Sequence, residues 1–422
     1  MELSRLLIWG TCILSSAAFA TSDWDTNPTF NYTDALGKAV LFFEGQRSGK
    51  LPVAQRVKWR GDSALSDGSY ENISNIKINN RGYYDAGDNV KFGWPMAFTV
   101  TLLSWAAIEY EKEIASVMQL EHLRSSVRWG ADFILRAHVS PTTLYTQVGD
   151  GNGDHQCWER LEDMDTPRTL YKITPNSPGT EAAAEAADAL AAASIVFHHV
   201  DANYSRSLLQ HSKSRFQFAD QFSLEDLTLL LVHSTVLFLV TRIVHLYGDP
   251  GGSSSKIPIT RGELLFLRDN SNLQYASSSS MVLYMYSRLL NQAHVNGVHC
   301  GSKYFSSSQI KTFAKSQVDY ILGKNPMKMS YMIGFGNKYP LQLHHRASTI
   351  PSIKVHSTKV GCNAGYSHYF YSNNPNPNIH IGAIVGPNSN DQFSDLRSDH
   401  SHSEPTTYTN AAFVGSVAAL VT

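Results

Sequence analysis

Apolar positions along this chain recur mainly at helical spacing. Glu121 to Ala137 carries Leu123, Val127, Ala131 and Ile134 near every fourth position, one face of a helix turned to a core. Pro95 to Tyr110 opens with a proline, which suits a first helical turn because the missing N–H would have no acceptor there. The Ala-rich run after Thr180, read as an N-cap, extends to about Phe197, and Ser308 to Leu322 closes on Gly323 as a C-cap. A last helix is expected over Ala411 to Val421. Period-two alternation is scarce. Polar stretches rich in Gly, Asn, Pro and Ser fill 60–92, 139–179, 323–380 and 386–410, and loops of that length usually carry function. The pattern predicts an all-α fold of paired helices in a barrel, with the site on its loop face.

One region breaks the pattern. From Phe222 to Tyr247 the chain is densely apolar without amphipathic order, with Leu227, Leu229, Leu230, Leu231, Val236, Leu237 and Phe238. Glu225, Asp226, His233, Arg242 and His245 crowd the same stretch and argue against a membrane span, leaving a buried segment or sequence of anomalous origin.

The first residues add a compartment. Arg5, the apolar run Leu6 to Leu14 and Ala18-Phe19-Ala20 have the layout of a signal peptide over 1–20, with a mature domain over 21–422 beginning near Thr21. Three sequons, at Asn31, Asn72 and Asn203, would be glycosylation sites in a secretory lumen. Loss of Cys12 with the leader leaves Cys157, Cys300 and Cys362, enough for one disulfide, and Cys300 with Cys362 is the expected pair.

Charge narrows the partner. The 35 Lys and Arg nearly cancel the 36 Asp and Glu, so no basic field exists to gather nucleic acid or an anionic membrane. The 20 Tyr and 7 Trp permit stacking on a neutral, hydroxyl-rich ligand.

Three segments can carry chemistry. Gly82-Tyr83-Tyr84-Asp85-Ala86-Gly87-Asp88-Asn89 sets two carboxylates three positions apart, able to hold a nucleophilic water while Tyr84 offers a face to a sugar ring. Asp395 and Glu404 lie in a loop before the last helix, followed by Tyr408 and Asn410. Ser330 to Arg346 ends in His344-His345-Arg346, donors for hydroxyl groups. Each alone also reads as a polar turn or surface loop. Asp150-Gly151-Asn152-Gly153-Asp154 resembles the start of a calcium loop, but His155 stands where an EF-hand needs Gly and Leu161 where it needs Glu. Neither a Cys-x-x-Cys nor a His-Glu-x-x-His arrangement occurs, so a zinc site is unsupported.

Taken together, these motifs resemble glycoside hydrolase family 9, and most closely its plant secreted endo-β-1,4-glucanases. The resemblance runs from Phe30 to about Asp220 and from Gly262 to Ala412. It includes Gln46 to Pro52, Arg60 to Ser63, Tyr84 to Pro95, Cys157-Trp158-Glu159-Arg160 and Ala314 to Pro326. It implies an (α/α)6 barrel that hydrolyses β-1,4-glucan polysaccharide such as cellulose outside the cell, as a monomer, with no cofactor and no metal. By the same resemblance Asp88 is the general base, Asp85 helps hold the water, Glu404 is the general acid, and His344, Arg346 and Asp395 grip and orient the sugar. Tyr84, Trp158, Tyr408 and Asn410 complete the substrate-binding set. Inversion requires Glu404 to keep its proton, through burial or through a neighbouring carboxylate such as Asp395.

Two departures qualify the resemblance. The family has several more helices where this chain runs from Asp220 to Gly262, so the barrel is expected to be incomplete there, and His400 stands where the family has an aromatic residue. The rival readings are a non-catalytic glucan-binding protein or unstable product, and a variant held to a membrane by Leu227 to Val240.

Overall fold

The computed structural model describes residues 30–68, 81–222, 258–300 and 303–421. Eight helices of three or more turns form its frame: α1 (Tyr32–Gln46), α2 (Gly93–Glu109), α3 (Leu120–Ala137), α4 (Thr180–Phe197), α5 (Ala202–Gln221), α6 (Leu273–Gln292), α7 (Ser307–Leu322) and α8 (Thr407–Ala418). Burial sorts these into two layers. Every residue from Thr99 to Ser104 of α2 and from Thr409 to Ala418 of α8 is buried, which marks both as interior helices. By contrast α3 buries a stripe containing Leu123, Val127, Ala131 and Ile134 and turns Glu121 and Arg128 outward, as an outer helix does.

Packing then fixes the order. The inner row runs α4, α2, α8, α6, and behind these lie α5, α3, α1 and α7 respectively. The chain therefore alternates between outer and inner helices, and the described residues form an arc of four adjacent inner–outer pairs. The interruption falls between α5 and α6, which residues 222–272 connect; of these, 258–272 run in turns and extended backbone. The apolar stretch 222–247 lies outside the described residues but for Phe222, as do the leader 1–20 and Asn72. Among the described residues no helix is long and apolar enough to cross a membrane.

Helix ends show local chemistry overriding the apolar pattern. At α4 the N-cap is Gly179, and Thr180 is already helical. The α8 helix begins ahead of the expected Ala411, because the Thr406 hydroxyl accepts the Thr409 N–H at 3.2 Å and caps the extra turn. Ser306 and Gln309 form a capping box at the start of α7, and its end rests on Gly323 at φ +129°, a backbone conformation suited to glycine.

The stretch 139–179, expected to be loop, contains strands. Strand β3 (Thr143–Val148) pairs antiparallel with β4 (Leu170–Ile173), and β1 (Lys91–Phe92) and β2 (His138–Ser140) pair with its two ends. This sheet ties the chain entering α2 to the loop after α3.

The disulfide also differs from expectation. Cys362 bonds to Cys157, with Cα atoms 4.7 Å apart, rather than to Cys300. The segments around Cys157 and Cys362 run together, Arg160 N–H donating to Val360 O at 3.1 Å, whereas Cys300 ends strand β5 (Gly297–Cys300) of a separate hairpin with β6 (Lys303–Ser306).

Candidate active site

Two acid-bearing loops meet where α2 and α8 begin. The 84–92 loop leads into α2, and Glu404 precedes α8 by three residues. Thr407 N–H donates to Asp85 O at 3.0 Å, and Gly87 N–H donates to Glu404 Oε1 at 3.0 Å, so the loops are bonded to each other. Gly87 is required by this approach, since a Cβ there would stand 1.9 Å from His344 O. From the outer layer, the Gln46 amide donates to Ala86 O at 2.8 Å and Tyr84 O at 3.3 Å, fixing the backbone on both sides of Asp85. Gln46 is itself held by His345 Nε2 at 2.7 Å.

Arg346 organises the floor of the site. Its guanidinium donates to the carbonyls of Cys157, Gly87 and Asp154 at 2.8, 3.1 and 2.9 Å, and pairs with Asp154 Oδ2 at 3.2 Å. The same Asp154 oxygen accepts Asn89 N–H at 3.3 Å. His155 Nε2 lies 3.3 Å from Asp88 Oδ2, while Asp88 Oδ1 has no hydrogen-bond partner among the described residues.

The acids repel one another in a desolvated pocket. Burial, then the charges of Asp88 and Glu404, hold the Asp85 carboxyl well above the usual carboxylate range. Burial and then the Asp88 charge push Glu404 up to about 7, against a partial offset from the Gly87 N–H. Asp395 is not among the causes, so the suggestion that it keeps Glu404 protonated is replaced by burial and Asp88. Asp154 rises to about 6, chiefly through burial, and the bond to Asp88 raises His155. His344 falls to about 4 because it is desolvated. Neutral and donating Nδ1–H to Arg397 O at 2.8 Å, it keeps an Nε2 lone pair for an incoming hydroxyl.

Several residues read from the sequence as sugar contacts are placed differently. Tyr84 is 1% exposed, with its hydroxyl 3.0 Å from Ser63 Oγ, and presents no face to a ligand. Trp158 is likewise 1% exposed, covered by the Arg346 guanidinium at 5.1 Å and by the edges of His344 and Phe370. The amide of Asn410 is engaged at both ends by Gly382 O and Ile384 N. Asp395 receives the N–H groups of Leu341 and Gln342 at 2.8 and 2.9 Å and so fixes the approach to His344. Tyr408 is half-buried near Asp85 and Glu404, and its hydroxyl is pushed up chiefly by burial, with those two acids adding to the rise. Glycosylation candidates Asn31 and Asn203 are exposed, Asn31 also capping α1 by accepting Asp34 N–H at 3.0 Å.

Sequence reasoning missed Gln46, Asp154, His155 and Arg397 as parts of the site. In sequence Asp154 and His155 resemble only part of a calcium loop; in the fold they end a short helix, Gly151–His155, capped by Asp150. Asp88, Asp154 and His155 each bring one ligand atom within 4.8 Å of the others, but Asp154 Oδ2 is already engaged by Asn89 and Arg346. Cys157, Glu159 and Cys362 also gather, with both thiols consumed by the disulfide.

Comparison with known proteins gives this geometry its context. Residues 32–229 and 234–417 match Glycosyl hydrolase family 9. The match enters the apolar stretch 222–247 and breaks only at 230–233. An endoglucanase of Phaseolus vulgaris is 57% identical over 463 aligned positions, covering 93% of this chain and 92% of the relative. Only 93% of the 422 residues here enter those positions, so about 70 of the positions hold residues of the relative without a counterpart in this chain. Endoglucanase 20 of Arabidopsis thaliana is 54% identical, covering 92% of this chain and 94% of its own length. Among solved structures, the endoglucanase of the termite Nasutitermes takasagoensis superposes with a TM-score of 0.78 at 32% identity, over 93% of this chain and 99% of that one. The fold is accordingly an (α/α)6 barrel, of which the described residues supply four neighbouring helix pairs. With the family's span covering both acid loops and every helix of the arc, the chain belongs to glycosyl hydrolase family 9.

Proposed function

We propose that this protein cleaves β-1,4-glucosidic bonds within glucan chains by a single inverting displacement. The observation that carries the reading is the bonding of Glu404 to the Asp85–Asp88 loop, with the Glu404 carboxyl pushed up to about 7 and therefore protonated in mildly acidic surroundings. A protonated Glu404 donates its proton to the glycosidic oxygen, while Asp88 takes a proton from water attacking the opposite face of the sugar. Asp85, whose carboxyl burial raises well above the usual carboxylate range, helps orient that water. His344 Nε2 accepts a substrate hydroxyl. Arg346, Asp154, Gln46 and Asp395 position these groups rather than touching sugar, and Trp158, Tyr84 and Asn410 support them from beneath. The family and the endoglucanase relatives support the reaction class.

The same reading includes secretion as a monomer after removal of 1–20, a catalytic domain over 21–422, glycan on Asn31, Asn72 or Asn203, action on cell-wall glucans outside the cell without a cofactor or metal, and no nucleic-acid or membrane partner. Release of reducing ends from a soluble β-1,4-glucan by the purified chain, with a rapid fall in viscosity, is the expected result. Glucan binding without bond cleavage would favour the non-catalytic rival instead.

A further inference from the structure

The turn that the disulfide attaches to the site has no part in the acid–base chemistry. It comprises a short helix, Cys362–Gly365, continued as one π-helical turn, Tyr366–Phe370, and Tyr371. Single π turns inside helices are rare and concentrate at functional sites. This one is anchored three ways. Cys362 is bonded to Cys157. Gly365 lies on the chain at Trp158 so closely that a Cβ would fall 1.4 Å from Trp158 O. Arg397, 3% exposed, donates to the carbonyls of Tyr369, Phe370 and Ser372 at 2.9, 3.1 and 2.6 Å.

What this anchored turn displays is aromatic. Phe370 packs inward on Trp158, with centroids 4.7 Å apart, but Tyr371 is 71% exposed and Tyr366 is half-buried beside it. Their rings lie 6.0 Å apart and tilted by 32°, presenting adjacent faces. The Tyr366 hydroxyl donates to His155 O at 3.3 Å, and the His155 ring bonds Asp88, so Tyr366 stands one residue removed from the catalytic acids. From Cys362 to Tyr371 the turn contains no Asp, Glu, Lys or Arg. Anchored, uncharged, exposed aromatic faces beside the acid loops fit a neutral ligand with an apolar face. The C–H face of a β-linked glucose ring has that character.

We infer that Tyr366 and Tyr371 form a stacking site for glucosyl units of a β-1,4-glucan, extending the site outward from Asp88 along the disulfide-held turn. The inference rests on the hydrolase reading above and adds to it where the chain of the substrate is gripped. Trp158, which the sequence suggested for this work, instead serves as the buried base on which the turn is mounted.

The test uses the full-length protein carrying Glu404→Gln, so that binding is read without turnover, with cellohexaose as the probe in calorimetric titration. Tyr371→Ala and Tyr366→Ala are each expected to weaken cellohexaose binding about 2- to 10-fold, the range for an aromatic contact. Tyr371→Phe should restore it, because the ring face, not the hydroxyl, makes the contact. Circular dichroism confirms that the variants fold, and Tyr371, largely exposed, is the safer substitution. Unaltered cellohexaose affinity in both alanine variants overturns the stacking site while leaving the hydrolase reading intact. Absence of cellohexaose binding in the parent protein, together with absence of hydrolysis by the wild type, overturns both.

Discussion

Gly87 N–H donates to Glu404 Oε1 at 3.0 Å, so one hydrogen bond joins the loop bearing Asp85 and Asp88 to an acid more than three hundred residues further along the chain. The bond favours the ionised form of Glu404, yet burial and the Asp88 charge outweigh it and the carboxyl titrates near 7. Activity should therefore fall as pH rises through about 7, when the acid loses the proton it must donate. Asp88→Asn removes the like charge and should lower the Glu404 pKa. Carbon NMR of the Glu404 carboxyl reads the shift directly, and an unmoved or raised value in Asp88→Asn would contradict this account of its environment.

Exchanging each proton-transfer acid for its amide separates chemistry from binding. Asp88→Asn and Glu404→Gln keep side-chain shape but lose proton transfer, a role typically worth about 10²–10⁴-fold in turnover. Both should still bind cello-oligosaccharide. The wild type should release the α-anomer first, and proton NMR sees it before mutarotation. Initial release of the β-anomer would replace Asp88 as a base acting on water with a covalent route.

Arg346 is predicted to matter through the loop it holds. Its guanidinium reaches three carbonyls and Asp154, a geometry that a lysine ammonium cannot reproduce. Leaving Asp154 buried without that partner costs about 3–5 kcal/mol in comparable cases. Arg346→Leu should thus lower the urea midpoint strongly. A doubly substituted Arg346→Leu, Asp154→Leu protein should recover part of the loss, and failure to recover any would mean that the carbonyl contacts, not the ion pair, dominate.

How much of this could be read from sequence depended on whether contacts were local. Asp85 and Asp88 stood out because they share one short segment with Gly87, and the amphipathic stripe of α3 was plain. Arg346 was visible, but its partners Gly87, Asp154 and Cys157 lie about 190 to 260 positions away, so its positioning work was hidden. Asp154 was masked by its local setting, a helix-capping run that looks like a metal loop. Tyr84 misled for the opposite reason: adjacency to Asp85 suggested an exposed face, whereas its ring is buried and its hydroxyl reaches Ser63, distant from it in local sequence. The Cys157–Cys362 pairing required knowing which loops run side by side, and cysteine count alone does not give that.

Within the inner row, Glu185 of α4 faces Thr101 of α2, Oε1 lying 3.1 Å from Thr101 Oγ1, and burial pushes its carboxyl from the ordinary 4.5 up to about 8, with Asp188 adding to the rise. The Thr101 hydroxyl also reaches Ala97 O at 3.1 Å, so a protonated Glu185 donating to Thr101 satisfies the whole chain of bonds. Because the folded pKa exceeds the unfolded one, the native state holds a proton that the unfolded state releases between about pH 4.5 and 8. The stability from this group is fully present below the lower value. It is lost as pH rises, at up to about 1.4 kcal/mol per pH unit. Glu185→Gln supplies a permanent donor of the same shape and should flatten that loss. Urea unfolding of wild type and variant at pH 5 and pH 8 should show little difference at the first value and a more stable variant at the second; an equal pH dependence in both would mean that Glu185 is ionised in the folded protein.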